Sequence, residues 1–315
     1  MPFPTLHRRS SAATDPVPAE RETLLLAAAI YTGWLGVTYF HRWIPTPLLV
    51  LLGGWILAWH GSLQHETIHG HPTRSRAINT LIGVPPLSLW LPYVRYRETH
   101  VAHHASEDLT EPAADPESRY LRPRANALGR IEALLMTWSS TLLGRLIFGP
   151  ITEISTFLVR EAAVLARGDR RRWAIWGVHL IQAAAVILWL TLVCHMSLLI
   201  YIAAFVYPGA ALALLRSFAE HRAAEQPGHR IAIVENAPVF GLLFLNNNLH
   251  AVHHAYPGAS WTQLPDLYRR HRGRILSANG GLVYDGYGEV FRRFLLVRHD
   301  HLFHPTSSTA SGAEP

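Results

Sequence analysis

The chain has 315 residues, 49% of them hydrophobic and only 16% charged, with a net charge of +6. That balance is too apolar for an ordinary water-soluble enzyme and too polar for a bare membrane bundle, so a membrane part joined to a sizeable aqueous part is expected. The small positive charge suits membrane orientation and argues against nucleic acid as a partner. The single cysteine, Cys194, excludes an intramolecular disulfide framework, and all 28 basic residues are arginine.

Residues 1–20 are polar, with Arg8, Arg9 and Pro16, and lack the apolar run of a cleaved signal peptide, so they read as a flexible tail. Segments 22–40 and 46–64 then approach the roughly 20 residues needed to cross a bilayer. The next apolar stretch, 78–94, is broken by Pro85, Pro86 and Pro92 and reads as re-entrant or interfacial; Trp55, Trp59 and Trp90 read as packing or interface anchors rather than a tunnel lining. Stretch 131–149 carries Arg145 and reads as an amphipathic helix on the surface. Two more spans, 174–194 and 196–215, follow each other so closely that they imply a tight hairpin. Residues 262–305 (LPDLYRRHRGRI, YDGYGEVFRRFLL) suggest basic amphipathic helices against the headgroups, and 306–315 a disordered tail.

The expectation is an all-α membrane domain over 21–305, a four-span helical bundle with a cytosolic helical cap. Arginines are scarce in the two short links between paired spans, where only Arg42 occurs, and abundant elsewhere. By the positive-inside rule both termini and the 65–173 segment lie in the cytoplasm of a multi-pass protein, expected in a bacterial inner membrane.

Eight of the 20 histidines fall in three groups. His65 and His69 (HETIH) stand four apart. His100, His103 and His104 (HVAHH), and His250, His253 and His254 (HAVHH), repeat the three-and-four spacing that stacks side chains on one helix face. His221 lies just past the end of the last span, which makes nine imidazoles at one membrane boundary. Nine suit two metals and overfill a single zinc. His71 is a weaker tenth, since Pro72 interrupts the helical spacing. His7, His41, His60, His179, His195, His229, His271, His299, His301 and His304 read as ordinary core or surface residues. Imidazole suits iron, copper, nickel and zinc about equally, so the ligands alone do not name the metal.

The order HETIH, HVAHH, His221, HAVHH, with HHASEDLTEPAADPESRY after the second box and NNNLHAVHHAYPGASWTQLP around the third, resembles the membrane fatty acid desaturase superfamily, which includes hydroxylases and carotenoid ketolases. The resemblance covers about residues 45–300. It implies a cytosolic centre of two iron ions that uses O₂ to remove hydrogen from an unactivated chain, with His65, His69, His100, His103, His104, His221, His250, His253 and His254 as ligands. The first box is one residue shorter than in some members acting on acyl-CoA, which weakens transfer of their substrate.

Breaking an aliphatic C–H bond needs an oxidant that no side chain supplies, so the protein's task is to hold the metals, exclude water and place an apolar substrate. Acceptors should orient the imidazoles, and the candidates are Glu66, Glu98, Glu107, Asp108, Glu220, Asn247 and Asn248. The acidic loop 107–117 reads as solvated and paired with Arg119, Arg122 and Arg124 rather than as a docking site. Haem-binding, ferredoxin-like and dinucleotide motifs are not seen, so a separate ferredoxin- or cytochrome-type donor with its reductase is expected, alongside membrane lipids and a lipid or other apolar substrate.

HETIH also matches the HExxH signature of zinc proteases, but Pro72 stands where the metzincin glycine should be, and seven clustered histidines would go unexplained. A metal transporter would place its ligands near midplane. Hydroxylation, ketolation or desaturation of an amino-acid-derived natural product remain open within the resemblance, because small shifts of substrate decide among them.

Overall fold

The computed structural model describes residues 20–118, 130–301 and 303–305. Residues 1–19 of the expected 1–20 tail and all of the expected 306–315 tail lie outside them, as do Arg119, Arg122 and Arg124. In chain order the helices are α1 (Arg21–Tyr39), α2 (Thr46–Ile68), α3 (Arg76–Gly83), α4 (Tyr93–Ala105), α5 (Arg130–Ser139), α6 (Leu142–Ala166), α7 (Arg170–Leu188), α8 (Leu198–Tyr201), α9 (Tyr207–Glu220), α10 (Pro238–Leu243), α11 (His250–Ala255), α12 (Leu264–Ala278) and α13 (Tyr287–Phe294). Wide π-helical turns at Trp189–Val193 and Ile202–Val206 extend α7 and join α8 to α9. The described strands are a two-residue parallel pair, β1 (Ile233–Val234) and β2 (Val283–Tyr284).

Four described helices are long and apolar enough to cross a membrane: Thr46–Ile68, Leu142–Ala166, Arg170–Val193 and Leu198–Glu220. Three match the expected spans at 46–64, 174–194 and 196–215. The other two apolar stretches do not follow the expectation in length and composition. Segment 22–40 forms α1, but Glu22 and several Thr, Tyr and Gly residues dilute its leucines and alanines, and it is not among the four. Stretch 131–149, expected as one surface helix, divides into α5 and α6. α6 runs on through Pro150 to Ala166, so its apolar length exceeds the window that suggested it. Arg145 does not mark a water-facing side: it is buried, its Nε donates to the Ser139 carbonyl at 2.9 Å, and its guanidinium lies over the Phe218 ring.

The chain divides into two compact units. The first to be considered, residues 20–97 and 150–213 among those described, holds most of the apolar helix. At about 1.5 Å per residue the 23 residues of α2 extend about 35 Å, enough for a bilayer core. Its glycines permit a close helix approach: a Cβ on Gly53 would collide with the Ala204 carbonyl and the Phe205 ring, and one on Gly54 would come within 2.8 Å of Pro208. Polar side chains in this unit find partners. The Trp34 indole donates to the Tyr201 hydroxyl (2.9 Å), which donates on to the Leu87 carbonyl (2.6 Å). Glu161 of α6 is buried among Arg95, Arg172 and the Trp176 indole. Trp55 packs edge-on against Trp59, and Trp90 against Phe157.

The second unit, residues 98–118, 130–149, 214–301 and 303–305 among those described, surrounds β1 and β2. Ile231, Ile233, Leu249, Val252, Leu264 and Ile275 form its apolar core. Every residue of α11 is buried, so this short helix is set by its surroundings more than by its own hydrogen bonds.

Candidate metal centre

Three helices of the second unit deliver histidines. α4 supplies His100, His103 and His104, the end of α9 leads into His221, and α11 supplies His250, His253 and His254. Backbone bonds fix the last helix in place: the Val234 amide donates to the Asn248 carbonyl (2.8 Å) and the Ala251 amide to the Ala232 carbonyl (3.1 Å). His221 bridges in antiparallel fashion to Ile231.

His103, His221, His250 and His254 are all buried, and a ligand nitrogen from each lies within 4.8 Å of the others. The Nε2 atoms of His250 and His221 are 2.9 Å apart, and those of His254 and His250 3.1 Å. His103 Nε2 is buried without a hydrogen-bond partner. An orphaned imidazole nitrogen beside three convergent ones is costly in a folded interior unless a cation takes them. This donor set fits a metal ion.

The other ring nitrogens of His103, His221 and His250 are spoken for. His103 Nδ1 pairs with Asp115 at 2.8 Å, and Asp115 in turn accepts from the Thr110 and Glu117 amides and the Ser118 hydroxyl. His221 Nδ1 faces the Arg230 carbonyl (3.2 Å). His250 Nδ1 faces Asn247 Oδ1 (3.3 Å) and Glu220 (3.5 Å), and Glu220 is held by Asn247 Nδ2 (2.6 Å) and Arg216 (3.0 Å). With Nδ1–H donated to these acceptors, each ring turns Nε2 inward as the ligand.

A second trio in the same unit, His100, His104 and His253, also offers nitrogens within 4.8 Å of one another. His253 Nε2 and His104 Nε2 are 3.0 Å apart, and His100 Nδ1 pairs with Glu117 at 3.1 Å. In the first unit, His65 in the last turn of α2 and His69 just after it have ring centroids 4.8 Å apart.

Electrostatics favours the neutral form at His221, His250, His254 and His100, and the charged form at His103. Burial, aided by the neighbouring imidazoles, holds His250 and His254 well below the usual histidine range. Burial and the charge of His103 bring His221 down to about 4. Burial also lowers His100, against the pull of Glu117. At His103 burial is outweighed by Glu117 and Asp115, which push it up to about 9. Both carboxylates are lowered despite burial, Asp115 chiefly by His103, and Glu117 by His103 and His100.

Several sequence candidates have other surroundings. Glu220 and Asn247 contact His250, as described. Glu66 is buried 3.8 Å from His65 Nδ1. Asp108 is 59% exposed and stands 3.8 Å from Arg230, and Asn248 donates to the Val234 carbonyl (2.6 Å). His71 pairs with Glu20 (2.6 Å). His299 and His304 are buried and pair with Tyr284 and Asp300, and with Thr110. Sequence reasoning missed Asp115, Glu117 and Arg230. Asp115 is buried rather than solvated, and its place in a proline-flanked turn soon after HVAHH is the one signal that pointed to it. Arg230 is fully buried, donating to the carbonyls of Ala224 (2.6 Å), Leu109 (2.8 Å) and Glu225 (3.1 Å), and no motif marks it.

The family model described as "Fatty acid desaturase" matches residues 41–287, more than half of the chain and a range that includes all nine histidines. No curated protein matches the chain.

Proposed function

Because the chain belongs to the fatty acid desaturase family, we propose that it is a membrane-bound, O₂-dependent desaturase with two iron ions, introducing a C=C bond into a fatty-acyl or similarly extended apolar chain. Oxidoreductase activity follows from the family in general terms, and four apolar helices fit a membrane protein. The observation that carries the finer reading is the buried four-histidine cluster of His103, His221, His250 and His254, with the orphaned Nε2 of His103 inside it.

We assign these four as ligands of one iron, and carry the ligand role onto His65, His69, His100, His104 and His253 from the family's histidine pattern. Bound iron would supply the oxidant for an unactivated C–H bond. The chain's own residues do the rest. Asp115, Glu117, Asn247, Glu220 and the Arg230 carbonyl hold ring nitrogens so that the inward ones keep their direction. Burial keeps His221, His250 and His254 unprotonated and able to ligate. Removing two hydrogens while reducing O₂ to two waters requires two further electrons and two protons, which we assign to a separate ferredoxin- or cytochrome-type donor. The histidine face is assigned to the cytoplasm on the arginine distribution. Hydroxylation, ketolation or desaturation of an amino-acid-derived natural product differ from this only in how the substrate is held.

The test is metal content joined to product analysis. Purified protein should carry close to two irons per chain, and His103→Ala or His253→Ala should lose iron while remaining in the membrane. Metabolite profiles of cells with and without the protein should differ by a new double bond. One zinc per chain with peptidase activity would refute the proposal, and a new hydroxyl or keto group would move it to the sister reactions.

A further inference from the structure

α12 has two faces of different chemistry. Leu264, Tyr268 and Ile275 are buried and share one apolar core with Ala251, Val252 and Ala255 of α11. The rest of the helix carries Arg269, Arg270, Arg272 and Arg274, all exposed, against Asp266 alone. Asp266 pairs with Arg269, and Glu235 with Arg272 (2.7 Å). Arg270 and Arg274 have no acidic partner among the described residues. They stand four apart on the outward side, where like charges repel and weaken the helix that bears them.

This basic face lies behind the histidine cluster. On the flank of α12, His271 stacks on Tyr256 with ring centroids 5.7 Å apart. Tyr256 ends α11, two residues beyond His254. One helix layer, α12 itself, therefore stands between the arginines and the helix that carries His250, His253 and His254.

The chemistry of a partner follows from what the face presents. Among the described residues no large apolar side chain is exposed between residues 243 and 294, so α12 has nothing to bury among lipid tails as an interfacial helix does. The segment after α13 does, with Leu296 and Val297 66% and 62% exposed beside Arg298. A second copy of the chain would bring arginine against arginine. A water-soluble protein with carboxylates on its docking face fits.

We propose that the outer face of α12, centred on Arg270 and Arg274, is the docking surface for the electron donor, a soluble one-electron carrier with an acidic face. This rests on the reading of the chain as an O₂-dependent desaturase, whose turnover needs electrons from outside. Each docking takes one electron from a carrier. Two such electrons, two protons from water and the two hydrogens of the substrate reduce O₂ to two waters.

The test uses the iron-loaded full chain in nanodiscs, with an acidic [2Fe–2S] ferredoxin and an acidic flavodoxin as probes. Binding of at least one carrier should weaken at least about tenfold in Arg270→Glu/Arg274→Glu. Its Kd for the wild type should rise with salt more steeply than for the variant. Iron content and reduction by dithionite should stay as in the wild type, while reduction by the carrier slows. Arg160→Glu/Arg167→Glu makes the same change of net charge at exposed positions of the first unit and should leave the Kd unchanged. Equal losses in both double variants would reduce the effect to net charge and overturn the proposal. So would a loss seen in phosphatidylglycerol nanodiscs and absent from phosphatidylcholine ones, which would make α12 a lipid-facing helix. A wild type that binds neither carrier, or a Kd unmoved by the reversal at α12, overturns the docking face and leaves the desaturase reading standing. A chain that holds no reducible metal refutes that reading and the docking face with it.

Discussion

A histidine that offers one ring nitrogen to a metal must dispose of the other, and the acceptors here differ in kind. His103 uses a buried carboxylate, His221 a backbone carbonyl, and His250 an amide with a carboxylate behind it. Asp115→Asn should therefore be the most damaging of the conservative changes, because it removes the charge that favours Nδ1–H on His103. Loss of such a supporting carboxylate costs about 10–100-fold in metal affinity, which competition with a chelator would measure; unchanged affinity would show that Asp115 only packs. Titration gives a second expectation, for the metal-free protein. His221, His250 and His254 are lowered, so below about pH 6.5 the unfolded chain binds protons that the fold does not, and stability falls toward pH 4, the value of His221. His103 runs the other way. Raised to about 9, its contribution is full below about pH 6.5 and fades as pH climbs through 9. The melting temperature of metal-free protein should thus peak near pH 6.5 and fall on both sides, and a flat profile would contradict this. The eight imidazoles of the three groups stood out by spacing and His221 by its place after the last span, but the acceptors beside them did not. Asp108 stands nearer HVAHH in sequence than Asp115, yet the loop leaves it largely exposed and folds Asp115 back to His103.

At the scale of elements, hydropathy located three of the four helices that are long and apolar enough to cross and missed the extent of the fourth, because it scores windows rather than helices. α6 gains its length by continuing through Pro150, and Arg145, which argued for a wet face, is satisfied by a carbonyl and an aromatic ring. Contacts between helices were not legible either, since a glycine in a membrane segment reads as neutral until its neighbour is known. Gly53 and Gly36 make the contrast. A Cβ at Gly53 meets the Ala204 carbonyl, whereas one at Gly36 meets nothing within 4 Å. Gly53→Ala should destabilise the protein by about 1–3 kcal/mol, the usual cost of overpacking. Gly36→Ala, in the interior of α1, should be neutral or stabilising by up to about 1 kcal/mol. Thermal unfolding in detergent would compare the two, and equal midpoints would refute the close approach of α2 to the 202–208 segment.

For the molecule as a whole, the histidine cluster constrains the path of the chain. His103 and His221 meet in one cluster, yet α6, α7 and the α8–α9 helix lie between them in sequence. Three full crossings would carry His221 to the opposite membrane face, so one of the three does not cross. Residues 173–215 carry no Asp, Glu, Lys or Arg, which leaves α7 and α8–α9 as spans. α6 is long and apolar enough to cross, yet it carries Arg145, Glu153, Arg160 and Glu161 as well as Pro150, and is the one expected to lie along the membrane surface. With Cys194 replaced by Ala, single cysteines at Ser139→Cys and Ala166→Cys should both react with an impermeant maleimide from the same side of oriented vesicles. Reaction from opposite sides would show that α6 crosses. The order of the histidine groups was readable in the sequence; which apolar helix crosses was not, because that depends on contacts made far along the chain.

The cluster also sets an order of assembly. Its members run from residue 103 to residue 254, so a bound ion closes a loop that contains the whole α7–α9 hairpin. Such closure carries an entropic cost that grows only slowly with loop length, and it is lowest when the intervening chain is already folded. During synthesis the first two contributors to this cluster, His103 and His221, emerge well before α11. The hairpin is therefore expected to form while the centre is still open, and a metal ion held by these histidines would be the last component to arrive, acting as a clasp on a fold already in place.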